Sequence, residues 1–213
     1  MNRHDRTRSE STPSLDENSN IACGTDKTCK ADHEQAEMIR RLVSGSESEQ
    51  ERAVSLLCQG SMAEFTGEVQ TLLSDSKLLQ EFKGELIRAL IHQRVNCLMT
   101  MNKDGVLYQF NPSLLDDPDK LTVIVQTRRQ FAEYLEGNNV LSTRFANQIL
   151  DQEILETLPM DFTEYDPERL AASIIRLVFQ EMRNEKGWTE FEQKYYSGGF
   201  EPYPLRIEMR GKN

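Results

Sequence analysis

The chain has 213 residues, of which 38% are hydrophobic and 28% are charged, and its formal net charge is −10. That length accommodates one domain of ordinary size with additional tails. No stretch offers the roughly 18 to 20 consecutive apolar residues that a membrane-spanning helix requires, so the sequence predicts no membrane span. The excess of acidic residues repels phosphate backbones and counts against direct nucleic-acid binding.

The first 33 residues differ in composition from the rest of the chain. They are rich in Ser, Thr, Asp, Glu, Asn and Arg, and their large aliphatic side chains are Leu15 and Ile21. Such a segment cannot bury enough apolar area to offset the entropy of ordering it. We therefore predict a disordered polar tail over 1–33, a helical domain over 34–196 and a C-terminal extension over 197–213. No apolar stretch follows the basic N-terminus, so we expect a cytoplasmic location, with the nucleus as a second compartment.

From Glu34 onward, apolar residues recur at spacings of three and four, without a convincing alternation of period two. This periodicity predicts a domain that is almost entirely α-helical. The fourth predicted helix has the clearest pattern, because its apolar stripe is wide enough to pack on two sides. The predicted helices cover about 34–44, 47–59, 61–74, 76–99, 117–136, 140–157 and 167–184.

Turn and capping residues set the predicted ends of these helices. Residues 100–116 break the helical pattern and are predicted to form the longest loop, with a turn at Asp104-Gly105. Asp117-Pro118 and Asp166-Pro167 each suit a helix start, because aspartate accepts from free backbone amides and proline fits the first helical position. Gly137 favours a helix end, so the fifth and sixth helices are predicted to form a short-looped antiparallel hairpin.

Helix pairs joined by tight turns are typical of α-solenoids. The sequence therefore predicts an all-α fold in which antiparallel helical hairpins stack as a HEAT-like α-solenoid. No internal sequence period accompanies this pattern. The prediction thus depends on helix order and loop length rather than on self-similarity.

No group of residues has the spacing of a catalytic or metal site. Cys23, Cys29 and His33 offer three ligands where a structural zinc site usually needs four, and their cysteines are unusually far apart. His92 and Cys97 are five positions apart on a predicted helix, which turns them about 140° from each other. They are therefore poorly placed for nucleophilic catalysis. We predict a protein that is not an enzyme and that uses no metal or cofactor.

Charged residues on the predicted helices are explained by solvation or salt bridges rather than by a catalytic site. Asp151, Glu153 and Glu156 follow the pattern of a solvated face on an amphipathic helix. Arg128 and Arg129 are candidate basic contacts for a ligand, although neighbouring arginines on a helix are more often solvated or salt-bridged. We therefore expect the ligands of this chain to be other proteins.

The stretch "RNEKGWTEFEQKYY", residues 183–196, contains the only tryptophan of the chain and three further aromatic residues. Trp188, Phe191, Tyr195 and Tyr196 can seal the last helix pair as a hydrophobic lid, or stand exposed as a binding anchor. Large aromatics are frequent both in cores and at binding hot spots. We favour the lid and keep the anchor as the alternative.

Two stretches resemble a known family. "FAEYLEGNNVLSTRFANQIL", residues 131–150, resembles a segment of small proteins built from the middle domain of eukaryotic initiation factor 4 gamma. "IIRLVFQEMRNEKGWTEFEQKYY", residues 174–196, resembles the last helix of the same proteins, which include the histone stem-loop-binding-protein interactor and the poly(A)-binding-protein-interacting proteins. The resemblance implies a crescent of helical hairpins. It also implies a non-catalytic scaffold that links mRNA-bound proteins to initiation factors.

A second resemblance uses part of the same stretch. "GWTEF", residues 187–191, is similar to an element of the second homology region of Bcl-2 proteins, which are also all-helical. The chain lacks the upstream Asn-Trp-Gly-Arg segment of that family, since Trp188 is its only tryptophan. A Bcl-2-like regulator of apoptosis is therefore the alternative expectation.

Overall fold

The computed structural model describes residues 25–135, 140–196 and 199–209. The predictions for 1–24 and for the turn at Gly137 lie outside these residues, as do the side chains of the candidate ligands Cys29 and His33. The chain divides into two units, Met1–Glu37 and Met38–Asn213. The core of buried apolar side chains belongs to the second unit. The described residues are mostly helical, as the sequence predicts.

The helices agree with the predicted ones in order but differ at several ends. α1 begins at Thr25 rather than at the predicted residue 34, and α4 ends at His92 rather than at 99. A helix over 185–195 was not predicted. The α-helices are α1 Thr25–Val43, α2 Glu47–Gln59, α3 Thr66–Ser74, α4 Gln80–His92, α5 Thr122–Tyr134, α6 Val140–Thr157, α7 Pro167–Glu181, α8 Glu185–Tyr195 and α9 Arg206–Met209.

The two Asp-Pro dipeptides act as helix starts in different ways. The Asp166 side chain accepts from the backbone N–H of Arg169 at 2.8 Å, and α7 begins at the next residue. Asp117 instead caps a 3-10 helix over Pro118–Lys120, so that α5 starts only at Thr122. The capping chemistry is the same in both places, but only the first continues directly into an α-helix.

The centre of the core is built around α4, which contacts both α2 and α6. Leu86 and Leu90 on its inner face are fully buried. A Cβ atom at Gly84 of α4 would lie 2.7 Å from the Cα atom of Leu155 on α6. No larger residue fits at position 84 while the two backbones approach this closely.

A β-hairpin occupies part of the predicted loop, so the all-α prediction is wrong in this region. β1 Met99–Lys103 pairs antiparallel with β2 Val106–Phe110, and Met99 lies opposite Phe110. Asp104 and Gly105 have φ angles of 51° and 81°, as the tight turn between paired strands requires. The sequence signal is the short alternation Met-Thr-Met-Asn-Lys, whose first, third and fifth side chains are buried.

Side chains from two helices stabilise this small sheet along the outer edge of β1. The Gln70 amide donates to the backbone oxygen of Thr100 at 2.7 Å and accepts from its backbone N–H at 2.9 Å. Lys83 Nζ donates to the backbone oxygen of Asn102 at 2.6 Å. These contacts take the place of a third strand, which a two-stranded hairpin ordinarily needs for stability.

Among the described residues, none of the helices combines the length and the apolar character that crossing a membrane requires.

Candidate functional site

The aromatic residues that the sequence singles out lie together around α8. Phe191 is 6% exposed and occupies the centre. Its ring centroid is 5.5 Å from that of Trp188, 5.0 Å from that of Tyr195 and 6.0 Å from that of Tyr196. These separations are typical of favourable aromatic pairs. The four predicted residues therefore form one packed group rather than separate surface contacts.

Three further aromatic residues join this group from other parts of the chain. Tyr134 at the end of α5 lies 5.5 Å from Phe191, edge to face, and Phe179 on α7 lies 6.2 Å from it. Phe200 lies 5.8 Å from Trp188 and follows α8 in the chain. We call these seven residues the aromatic cluster: Tyr134, Phe179, Trp188, Phe191, Tyr195, Tyr196 and Phe200.

The Gly-Trp pair has a local structural reason. Asn184 caps α8 by accepting from the backbone N–H of Gly187 at 2.9 Å. A Cβ atom at Gly187 would lie 2.7 Å from a ring carbon of Phe179 and 2.5 Å from the Asn184 amide nitrogen. Glycine at this position therefore allows the first turn of α8 to rest on α7, which brings Trp188 and Phe191 into the cluster.

The cluster combines a buried centre with a partly open edge. Phe191 is buried, whereas Trp188, Tyr195 and Tyr196 are half-buried. A cavity of about 300 Å³ opens beside Tyr195, and Phe179 lines it together with charged residues on its rim. The rim carries Lys186, Glu190 and Lys194. The buried Phe191 thus has the environment of a lid residue, whereas the half-buried side chains remain accessible enough for an anchor.

The phenol groups of the cluster serve as hydrogen-bonding groups. Burial raises the pKa of Tyr134 and of Tyr196, so both stay neutral at physiological pH. The Tyr196 hydroxyl donates to the backbone oxygen of Glu168 at 3.3 Å, which ties the end of α8 to the start of α7. Lys194 places its ammonium 4.6 Å from the centroid of the Tyr195 ring, a cation–π contact.

The two arginines proposed as basic contacts are both engaged in ion pairs. Arg128 donates to Asn147 Oδ1 at 2.9 Å and to Asp151 Oδ1 at 2.6 Å, and so joins α5 to α6. Arg129 donates to Glu133 Oε1 at 2.8 Å within α5. Although the two arginines are adjacent in the sequence, their side chains have different partners. They do not combine into one basic patch.

One group of described residues has the composition of a metal site. His92, Asp117 and Asp119 each offer a ligand atom, and these atoms lie within 4.8 Å of one another. Arg88 already donates to both oxygens of Asp119, at 2.7 and 2.6 Å, and Lys120 pairs with Asp117 at 2.8 Å. Cationic side chains thus neutralise the carboxylates. The group is a charged network that links α4 to the 3-10 helix before α5.

The prediction that Glu153 and Glu156 belong to a solvated face is wrong. Glu153 is 0% exposed, and its carboxylate accepts from the backbone N–H groups of Arg206 at 3.0 Å and of Ile207 at 3.2 Å. Glu156 is also buried. Burial raises the pKa of Glu153 to about 7. The sequence shows which face of α6 these residues share, but not that α9 covers that face.

Cys58 and Cys97 are half-buried free thiols. Burial, followed by the charge of Glu85, raises the pKa of the Cys58 thiol to about 11. Cys58 therefore stays a thiol at neutral pH, which makes it a poor nucleophile.

Comparisons with known proteins identify no relative of this chain. No protein-family model, no curated protein and no solved structure matches it.

Proposed function

We propose that the chain is a non-catalytic protein-interaction scaffold in mRNA translation or its regulation, which links mRNA-bound proteins to initiation factors. One observation carries the proposal: the two stretches that resemble middle-domain proteins, 131–150 and 174–196, meet in the aromatic cluster. Tyr134 of the first stretch lies 4.6 Å from Tyr195 of the second, between ring centroids. The two stretches that resemble the family thus contribute to one packing site in this chain.

The helix packing supports a solenoid of helical hairpins. α4 contacts α2 and α6, and α5 contacts α7, so in this part of the chain helices two places apart pack together. Neighbouring helices such as α6 and α7 also contact each other. This alternation is typical of stacked hairpins. The hairpin of β1 and β2 interrupts the helical series and departs from the expected family pattern.

The open edge of the aromatic cluster supplies a surface for a protein partner. Trp188 is half-buried, and a separate cavity along α8 is lined by aromatic rings and by exposed charged residues. Aromatic side chains that anchor in apolar pockets are enriched at binding hot spots, where a polar rim excludes water. Lys186 and Lys194, which line the cavity, would favour acidic residues of a partner there.

A pull-down from cell extract tests the proposal. The full chain is used as bait, with and without nuclease treatment, so that proteins bound directly are separated from those bridged by RNA. We expect initiation factors or mRNA-binding proteins to remain after nuclease treatment. Recovery of mitochondrial or apoptotic proteins in their place would contradict the proposal and favour the Bcl-2-like alternative.

A Trp188→Ala bait distinguishes the lid from the anchor. As a lid, Trp188 contributes a few kcal/mol to stability, which a thermal melt of the variant measures. Loss of the partner with an unchanged melting temperature identifies Trp188 as an anchor. Leu114→Ala is the matched control, because this side chain is 81% exposed and lies in a 3-10 helix outside the cluster. We expect that control to retain both the fold and the partner.

A further inference from the structure

A second cavity, of about 340 Å³, lies where the start of α4, the hairpin turn, the end of α6 and α9 come together. Charged residues from the loop before α4, the hairpin, α6 and α9 line it: Lys77, Lys103, Asp104, Glu156 and Arg206. Three of these are cations and two are carboxylates. The wall therefore carries one excess positive charge, in a chain whose net charge is −10.

Lys103 is the most deeply buried of the three cations. Its residue is 6% exposed, and among the described residues its hydrogen bond is with the backbone oxygen of Glu156. An ammonium group has three hydrogens to donate. Because a buried charge is costly unless its hydrogen bonds are satisfied, Lys103 has capacity for further acceptors in the cavity.

Arg206 presents a second set of donors, and its side chain lies close enough to the Tyr165 hydroxyl to oppose the rise that burial causes in the pKa of Tyr165. Its Nε atom is buried and makes no hydrogen bond within the part of the chain that the structure describes. Its Nη2 atom lies 3.4 Å from the sulfur of Met160, and a thioether is a weak acceptor. Buried donors in native proteins almost always have a partner, which can be a bound ion.

Contacts of the backbone around Arg206 with the core fix where this residue lies. The buried Glu153 carboxylate holds the backbone N–H groups of Arg206 and Ile207. Leu205, the preceding residue, is 0% exposed. Arg206 is thus anchored at its base on α9 and lines the cavity together with Lys77, which comes from the loop before α4.

We propose that this cavity binds an oxyanion of the phosphoryl class, which accepts hydrogen bonds from Lys103, Arg206 and Lys77. Donors on three separate segments suit a tetrahedral anion, whose oxygens point in several directions, better than a planar carboxylate. The volume exceeds the roughly 30 Å³ that one water occupies in the liquid. The proposal is independent of the proposed scaffold function.

The charges around Lys103 give the site a predictable pH dependence. Burial and then the neighbouring Arg206 lower the pKa of Lys103 to about 8, against the opposing effects of Glu156, Asp104 and Glu153. An anion between the two cations favours the protonated amine. Binding should therefore weaken as the pH rises above about 8 and Lys103 loses its proton.

Isothermal titration of the full chain at constant ionic strength tests the proposal. Inorganic phosphate and O-phosphoserine distinguish a free phosphoryl group from one carried by a side chain, and saturable binding of either supports the site. Acetate tests the preference for a tetrahedral anion. Sulfate, which does not titrate in this range, tests the pH dependence and should bind several-fold more weakly at pH 9 than at pH 7.

Two variants assign the binding to this cavity. Arg206→Gln should weaken phosphate or phosphoserine binding by about tenfold, the effect of losing a charge-assisted contact. Arg52→Gln removes an exposed arginine from α2 and should leave binding unchanged. If Arg206→Gln fails to fold, Lys77→Gln changes an exposed residue instead and should weaken binding several-fold. The proposal is overturned if neither phosphate nor O-phosphoserine binds saturably, or if acetate binds as tightly as they do. It is also overturned if a folded Arg206→Gln or Lys77→Gln variant binds them with unchanged affinity.

Discussion

Two regions secure the C-terminal half of the helical unit by opposite means. The aromatic cluster joins α5, α7 and α8 through stacked and edge-to-face rings around Phe191. The region around α6 and α9 depends instead on the buried Glu153, with Lys103 and Arg206 nearby. Apolar contacts between rings are insensitive to protonation, whereas buried ionisable groups link folding to pH. The two regions should therefore respond differently to substitution and to pH.

The largest expected effect is in the aromatic cluster. Phe191→Ala should lower the free energy of unfolding by about 4 kcal/mol, because it leaves a cavity at the centre of the packed rings. Urea denaturation monitored by circular dichroism measures this loss. Leu114→Ala, at an exposed position, should change the free energy of unfolding by less than about 0.5 kcal/mol. A Phe191→Ala loss as small as that of the control would show that the rings contribute little to stability.

The second effect is a pH dependence confined to the polar region. The pKa of Glu153 is raised from 4.5 to about 7 in the folded chain, so folding favours the protonated acid. Its contribution is fully present below about pH 4.5 and is lost as the pH rises through 7, by about 3 kcal/mol at most. Urea denaturation at several pH values should show a smaller fall in Glu153→Gln than in the wild type.

The Phe191→Ala variant provides the control for that pH experiment. It retains Glu153, so its free energy of unfolding should fall with pH as steeply as that of the wild type, from a lower starting value. Equal slopes in the wild type and Glu153→Gln between pH 4.5 and 7 would contradict the role of the buried carboxylate.

The smallest effect compares two adjacent arginines outside both regions. Arg128 is 30% exposed and joins α5 to α6, whereas Arg129 is 80% exposed and pairs within its own helix. Arg128→Gln should cost about 1 kcal/mol of unfolding free energy, since its hydrogen bonds are partly shielded from water. Arg129→Gln should cost no more than about 0.5 kcal/mol. Urea denaturation of both variants at equal salt checks the difference, and equal losses would contradict it.

Features that depend on residues close together in the sequence could be predicted, whereas features that depend on distant contacts could not. The apolar spacing and the Asp166-Pro167 cap locate α6 and α7 closely, because both signals are local. The aromatic residues are recognisable by their type. Tyr134, which completes the cluster, could not be assigned to it, because its contact with Phe191 crosses more than fifty positions of sequence.

The missed features depend on contacts that periodicity does not encode. The alternation in β1 spans only five residues and directly follows a strong helical stripe, so the sequence predicts a loop where the hairpin forms. Glu153 has the spacing of a solvated face, and only the packing of α9 onto α6 makes that position internal. Polar residues dominate α8, and its helical start depends on Asn184 and on the close approach of Gly187 to Phe179.

The side chains that cover the outer edge of β1 also limit how the sheet can grow. Gln70 and Lys83 occupy that edge, so further strands can add only beside β2, whose first four residues are exposed or half-buried. If β2 pairs with β2 of a second copy of the chain, each copy presents only its covered β1 on the far side. Strand pairing between copies through this hairpin would therefore end at two.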